Sequence, residues 1–546
     1  MSISKNQIIP LQIESLSNDG SGIGHYCGEA VFVPSSVPGD SIQVRIVKDC
    51  KRYAFGIVES ILEPSPDRLA PDCAAAAPCG GCCFRHIVYT AEVAAKGQFV
   101  QDAFTRIGAF SLKVLPCLPS PQTERYRNKA QYPVGRDANG RICAGFYAGR
   151  THRIVPCADC LLQPQIFSDI TTFLCHTFDA LGIEPYDETT GSGMIRHIFL
   201  RTGIHTGELM VCLVAAVPEL PRTQELVQNL CARFPAITTI LLNVNAQRTN
   251  VILGRENHTL FGPGYIADTM CGVPIRLGPL SFYQVNTPAA EQLYGIAAEY
   301  AALRPEDRLL DLYCGMGTIG LSMASRCAQL VGVEVIPEAV DAAKMNAQAM
   351  GSAISAKCRF LCADAGTAAR QLCEEGLAPD VVVLDPPRKG CDETTLNAVL
   401  QMAPRRIVMV SCYPATAARD CRYLADRGYT LRRVQPADMF PRTKHVETVV
   451  QLVLRKSPVH VNIDVDVEEL VQDKRGQATY PQIKEYVLEH SGLKVSSLYI
   501  AQVKQKCGII ERKNYNKPKS EDSRQPICPS EKEAAIKEAL EYFGMN

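Results

Sequence analysis

The sequence lacks any uninterrupted apolar run of about 18 residues, so no membrane-spanning helix is expected. Its first residues, Met1 to Pro10, mix Lys5 with polar groups and hold no apolar stretch of the kind a secretory signal needs. A cytoplasmic location is the expectation. The chain also lacks a charge excess: 57 Lys and Arg balance 57 Asp and Glu, a net charge of +0. That argues against a uniformly basic coat for nucleic acid but leaves local basic patches open. No internal repeat of fixed period is visible.

What the sequence has is length and sulfur. Its 546 residues, 46% hydrophobic and 21% charged, suit a globular chain of roughly three or four domains. The 24 cysteines, in a long chain without a signal, point to reduced thiols, a metal site or catalysis, not to disulfides. Most of them, Cys327 and Cys358 among them, are expected to serve as small hydrophobes.

The chain reads as an α/β multidomain protein in four parts. Residues 1–66 alternate short strands with glycine turns, which favours a small β-barrel. Residues 67–279 open on a cysteine-rich segment and a helix from about Thr90 to Ile107, then mix strands and helices in an α+β domain. Residues 280–456 alternate helices with apolar strands ending at Tyr313, Glu334, Asp385 and Val410, which implies a parallel, doubly wound, Rossmann-like sheet. A boundary falls near Ser457-Pro458, and residues 457–546 carry their own helix signals around a polar stretch, Asn514 to Arg524.

Asp311 to Thr318 (Asp-Leu-Tyr-Cys-Gly-Met-Gly-Thr) lies between an apolar strand and a helix start, where glycines let the backbone turn sharply and approach a ligand. The following strand ends at Glu334, placed to accept the ribose hydroxyls of a nucleoside cofactor, NAD enzymes sharing this arrangement. Asp364 reads either as a contact to the adenine edge or as a helix N-cap. Asp385-Pro386-Pro387-Arg388 closes the next strand; its stiff prolines would present Asp385 and nearby carbonyls to a target base.

Cys412 follows the strand Ile407 to Val410, and Glu447 stands at the entrance of the apolar strand Thr448 to Leu454. A buried core cysteine and a solvated charge are the bland readings. Uracil chemistry gives the pair a joint role. C5 of uracil is a poor nucleophile until a thiolate adds to C6, and a base must then remove the C5 proton so that the thiol leaves. A DNA cytosine methyltransferase would place proline directly before its nucleophile; here Ser411 stands there.

These motifs, with Gln284 in Ser281-Phe282-Tyr283-Gln284-Val285-Asn286 and His445-Val446-Glu447, resemble the RNA uracil-5-methyltransferase family over about residues 8 to 455. The likeness is to its iron–sulfur branch, which modifies large-subunit ribosomal RNA. The resemblance implies an S-adenosylmethionine cofactor bound by Gln284, Tyr313, Glu334 and Asp385, with Cys412 as nucleophile and Glu447 as base. Tyr413 departs from the asparagine common after the nucleophile.

Cys73, Cys79 and Cys82 are spaced C-x5-C-x2-C, and four thiolates suit either zinc or an iron–sulfur cluster. The resemblance selects a [4Fe-4S] cluster with Cys160 as fourth ligand, Cys83 and Cys157 being nearby cysteines outside the ligand set. It also makes the N-terminal barrel similar to a TRAM domain, an RNA-binding module. Two basic–aromatic patches are RNA-contact candidates: Lys48, Lys51, Arg52 and Tyr53, and Arg125 to Lys129. A monomer acting on large-subunit ribosomal RNA is expected. The alternatives are the same chemistry on transfer RNA and a non-catalytic iron–sulfur RNA-binding protein.

Overall fold

The computed structural model describes residues 3–149, 151–157, 159–455, 478–507, 509 and 528–545. Ser457-Pro458 and the polar stretch Asn514 to Arg524 lie outside the described residues. The chain divides into two compact units, Met1–Arg455 and Lys456–Asn546.

The larger unit begins with six strands. Ile8–Gln12 pairs with Ser41–Asp49, and its near-continuation Ser15–Leu16 pairs with Gly22–Tyr26, so the sheet curls back on itself. Alternating inward residues, among them Val31, Val33, Ile42, Val44 and Ile46, fill the centre. A second sheet of seven strands follows, running from Glu256–Phe261 at one edge to Ile154–Pro156 at the other. It includes the hairpin Lys129–Arg136 with Ile142–Tyr147. The expected helix ends in a wider turn: Tyr89–Asp102 is α-helical and Ala103–Ile107 is a π-helical turn.

The third large sheet positions the site. Its strand order is Cys358–Cys362, Gln329–Glu334, Arg308–Leu312, Val381–Leu384, Arg406–Ser411, Glu447–Leu454, Tyr429–Ala437. The first five are parallel; the apolar runs of the inner four are buried, as a sheet covered on both faces requires, whereas the edge strand Cys358–Cys362 is only partly buried.

The all-parallel expectation needs one correction. Glu447–Leu454 runs antiparallel between Arg406–Ser411 and Tyr429–Ala437. Only residues 438–446 connect it to the preceding strand, too few for the dozen or more that a parallel crossover takes. Antiparallel insertion brings the start of this strand to the carboxyl rim of the sheet, with Thr448 opposite Ser411.

The smaller unit has three described helices: Tyr480–Ser491, entered through a Thr479/Gln482 capping box, Ser497–Lys506, and Ser530–Tyr542. They share a core of Ile483, Val487, Ile500, Val503, Ile536 and Leu540. Among the described residues no helix is long and apolar enough to cross a membrane.

Candidate active site and cysteine cavity

Strand ends place the candidate residues. Asp311 and Tyr313 leave Arg308–Leu312, Glu334 closes Gln329–Glu334, Asp385 follows Val381–Leu384, and Cys412 follows Arg406–Ser411. Glu447 joins them because its strand runs the other way. All six lie along one rim, where ligands bind in open α/β sheets.

The glycine loop is shaped for close approach. Gly315 and Gly317 take φ of 56° and 77°, and so does Tyr313 at 65°, a conformation that costs a bulky residue roughly 1–2 kcal/mol. The Tyr313 hydroxyl lies 3.3 Å from Thr395 Oγ1, which steadies the ring. A Cβ on Gly317 would come within 3.1–3.2 Å of Leu321, Ala343 and Phe360. Asp311 is buried and accepts from Gly320 N at 2.9 Å, and burial pushes its carboxyl up to about 7. Glu334 accepts from the N–H groups of Gly315 (3.0 Å), Val335 (2.8 Å) and Ile336 (2.9 Å). Its carboxylate is thus held toward the loop with about one acceptor position left for a ribose hydroxyl.

Asp364 caps the helix Ala365–Glu374, accepting from Thr367 N at 3.1 Å, so the N-cap reading is the one the structure displays. The Gln284 backbone is fixed by Asn128, whose Nδ2 donates to its carbonyl at 2.8 Å. Sequence reasoning missed Tyr294: its buried hydroxyl meets the side chains of Gln284 and Thr318 and feels the charge of Asp385. Its position on the buried face of the helix Thr287–Ala301 is the only signal, one shared with any core tyrosine.

Asp385, Cys412, Glu447 and Arg388 form one electrostatic group. No donor among the described residues hydrogen-bonds the Asp385 carboxylate, which burial holds at about 7. Burial and the charge of Asp385 raise Glu447 to about 8, Arg388 opposing. The Cys412 thiol is raised by burial, then by Glu447 and Asp385, while Arg388 draws it down by charge and hydrogen bonding. Arg388 is therefore the cation facing the thiol, a role its place after two prolines did not announce. His445 is lowered to about 4 by burial and by Arg388, Lys444, Lys96 and Arg127, so it is neutral.

An unpartnered carboxylate beside a glycine cradle, with a second carboxylate ending the adjacent strand, fits a cationic nucleoside cofactor. The residues present can hold such a ligand by its ribose and its charged centre.

The cysteines converge elsewhere. Cys73, Cys79, Cys82, Cys157 and Cys160 line one small cavity with Arg85, Phe146, Leu161 and Leu162. Burial raises Cys79 and takes Cys82 up to about 11, whereas a hydrogen bond from Cys157 holds Cys160 below the ordinary thiol range. Among the described residues no group of three or more His, Cys, Asp or Glu side chains forms a ready site for a single metal ion. Five thiols nonetheless share this small cavity, the donor type that a thiolate-ligated group would need.

The basic patches separate. Lys48, Lys51, Arg52 and Tyr53 are exposed, with Tyr53 edge-on to Phe32 and Phe55 at 5.9 and 5.6 Å. In the second patch Arg125 is engaged by Asp159 and by the carbonyls of Cys160 and Gln163, and Tyr126 is buried with its hydroxyl donating to Pro441 O at 3.0 Å. Asn128 holds Gln284, and among the described residues Arg127 and Lys129 have no acidic partner.

Residues 273–456 match the family described as tRNA (Uracil-5-)-methyltransferase, and residues 4–58 match the TRAM domain. An uncharacterized RNA methyltransferase of Halalkalibacterium halodurans is 40% identical over 454 residues, covering 83% of this chain and 98% of that protein. One of Listeria innocua is 40% identical over 453 residues, covering 83% and 99%. Among solved structures, the tRNA (uracil-54, C5)-methyltransferase of Pyrococcus abyssi with S-adenosyl-L-homocysteine matches with a TM-score of 0.65 at 26% identity, covering 82% of this chain and all of that one. The chain belongs to the S-adenosylmethionine-dependent RNA uracil-5-methyltransferase family and carries an N-terminal TRAM domain.

Proposed function

We propose that this protein methylates C5 of a uridine in large-subunit ribosomal RNA through a covalent adduct between Cys412 and C6 of the base. The observation that carries the reading is the pairing of Ser411 with Thr448, which sets Cys412 and Glu447 side by side on the rim that holds Asp385. Bound S-adenosylmethionine would supply an electrophilic methyl group, held by Gln284, Tyr313, Glu334 and Asp385.

The chain's own groups do the rest. Arg388 favours the thiolate of Cys412. Its sulfur adds to C6, and the C5=C6 electron pair shifts to make C5 a nucleophile. Once C5 has taken the methyl group, Glu447 removes the C5 proton, the double bond reforms and the sulfur leaves. A base lifted out of its stack reaches the rim most readily from single-stranded RNA, and Phe282, 70% exposed two residues before Gln284, offers it a stacking face.

The TRAM domain and the thiol-lined cavity favour the ribosomal substrate, with Cys73, Cys79, Cys82 and Cys160 holding a [4Fe-4S] cluster that organises structure and takes no part in methyl transfer. The Pyrococcus abyssi neighbour's transfer-RNA substrate keeps that alternative as the second reading. Labelled S-adenosylmethionine with unmodified ribosomal and transfer RNA decides between them. Label on ribosomal RNA that digests to 5-methyluridine and disappears in Cys412→Ala is expected. Label on transfer RNA alone overturns the substrate, and label surviving Cys412→Ala overturns the mechanism.

A further inference from the structure

The nine residues 438–446 that deliver Glu447 form no strand, yet Asp438, Met439, Thr443 and Val446 are buried. A buried irregular segment must find partners for its polar groups from outside itself. Here they come from far away in sequence. Lys96, fully buried on the helix Tyr89–Asp102, donates to Asp438 Oδ1 (2.7 Å), Glu92 Oε1 (2.8 Å) and Phe440 O (3.1 Å). Glu92 in turn accepts from Arg442 N at 2.7 Å, and the Tyr89 hydroxyl donates to Asp438 Oδ2 at 2.9 Å. Phe84 N donates to Arg442 O at 3.1 Å, and Arg442 stands at φ 69°, a left-handed turn that these contacts hold in place.

The charges balance: Lys96 and Arg442 face Glu92 and Asp438, with Arg442 Nη1 3.7 Å from Glu92. Among the described residues Lys96 hydrogen-bonds to Glu92, Asp438 and Phe440, none of them a rim residue, so it has no place in the chemistry itself. Its contacts fix both the entrance of the loop, at Asp438, and its middle, at Phe440 and Arg442. From Arg442 the chain reaches Glu447 in five residues.

We propose that Lys96, acting through Asp438 and Glu92, is a positioning residue for the base Glu447 and serves the proton-abstraction half of the reaction. The proposal rests on the covalent reading above. It predicts a phase-specific defect: addition of Cys412 to C6 and methyl transfer do not use Glu447, whereas breaking the C5–H bond, reforming C5=C6 and expelling the sulfur do. Displacing the base by about an ångström slows its step roughly 10- to 100-fold.

The test is single turnover of the full-length protein on a uridine-containing RNA fragment, following methyl incorporation, the denaturation-stable protein–RNA adduct and free methylated RNA separately. Lys96→Met combined with Glu92→Gln removes one charge of each sign. The expected result is methyl incorporation within about threefold of wild type and adduct decay slowed roughly 10- to 100-fold, the pattern of Glu447→Gln. Wild-type adduct decay in the double variant overturns the proposal, as does an equal loss in both phases. Should the double variant not fold, Tyr89→Phe, which deletes one hydroxyl bonded to Asp438, is expected to slow adduct decay alone by a few-fold, and unchanged decay there overturns the proposal too. A wild-type protein that methylates RNA without forming any adduct would instead remove the covalent reading on which it stands.

Discussion

Burial raises Glu447, Asp385 and Asp311 to about 8, 7 and 7, so that near neutral pH Glu447 is mostly protonated and the two aspartates are shared between their two forms. A folded-state value above the unfolded one means that the folded chain binds more protons. Stability from these groups is therefore greatest at low pH and declines as pH rises from the unfolded carboxylate range through about 8. The ligand-free protein is expected to melt lower at pH 8.5 than at pH 6. Glu447→Gln should flatten that slope and stabilise the protein at pH 8 by up to about 4 kcal/mol while abolishing turnover. Thermal melts of both proteins across this range check it, and parallel slopes would refute the assignment. On the proposed mechanism a bound sulfonium cation would lower both Asp385 and Glu447, so that binding would itself help to turn Glu447 into a base.

Roles at this scale are only partly legible in sequence. Cys412 and Glu447 stand out because each marks a strand end and uracil chemistry asks for a thiol and a base. Asp364 does not, since a short acidic residue before a helix reads equally well as a cap, and capping is its observed bond. Arg388 and Tyr294 act through space on groups far away in sequence, and no local pattern separates them from a surface arginine and a core tyrosine.

At the scale of elements, the apolar strand Thr448 to Leu454 is visible in sequence but its direction is not. Direction follows from the length of residues 438–446, a count that decides topology only when the preceding strand's end is known. The same reversal puts Glu447 at the rim. The cysteine segment shows the converse. Its C-x5-C-x2-C spacing is local and legible, whereas Cys160 reaches the same cavity only through the loop held by Arg125, whose guanidinium bonds Asp159 and Cys160 O. If that cavity holds a [4Fe-4S] cluster, protein purified without oxygen should contain about four iron and four labile sulfide atoms per chain, lost in Cys79→Ser. One zinc per chain with no sulfide would assign the cavity to a different group.

At the scale of the molecule, the site, the cysteine cavity and the TRAM strands all belong to Met1–Arg455. The family match ends at residue 456, and the Halalkalibacterium halodurans relative is covered over 98% of its own length by 83% of this chain. The helices from Tyr480 onward thus lie beyond the residues that match the family. Their apolar residues close on one another, Ile483 and Val487 against Ile536 and Leu540, so the unit has a core of its own. Two units with separate cores melt and bind independently unless an interface couples them. Ending the chain at Arg455 is therefore expected to leave S-adenosylhomocysteine affinity and single-turnover methylation of a short RNA fragment within about twofold of the full chain, because every group the chemistry needs is retained. Calorimetric titration and the labelled-methyl assay measure both. A drop of tenfold or more on the short fragment would place part of the catalytic machinery in the smaller unit, whereas a drop confined to long ribosomal RNA would make that unit a substrate-docking arm.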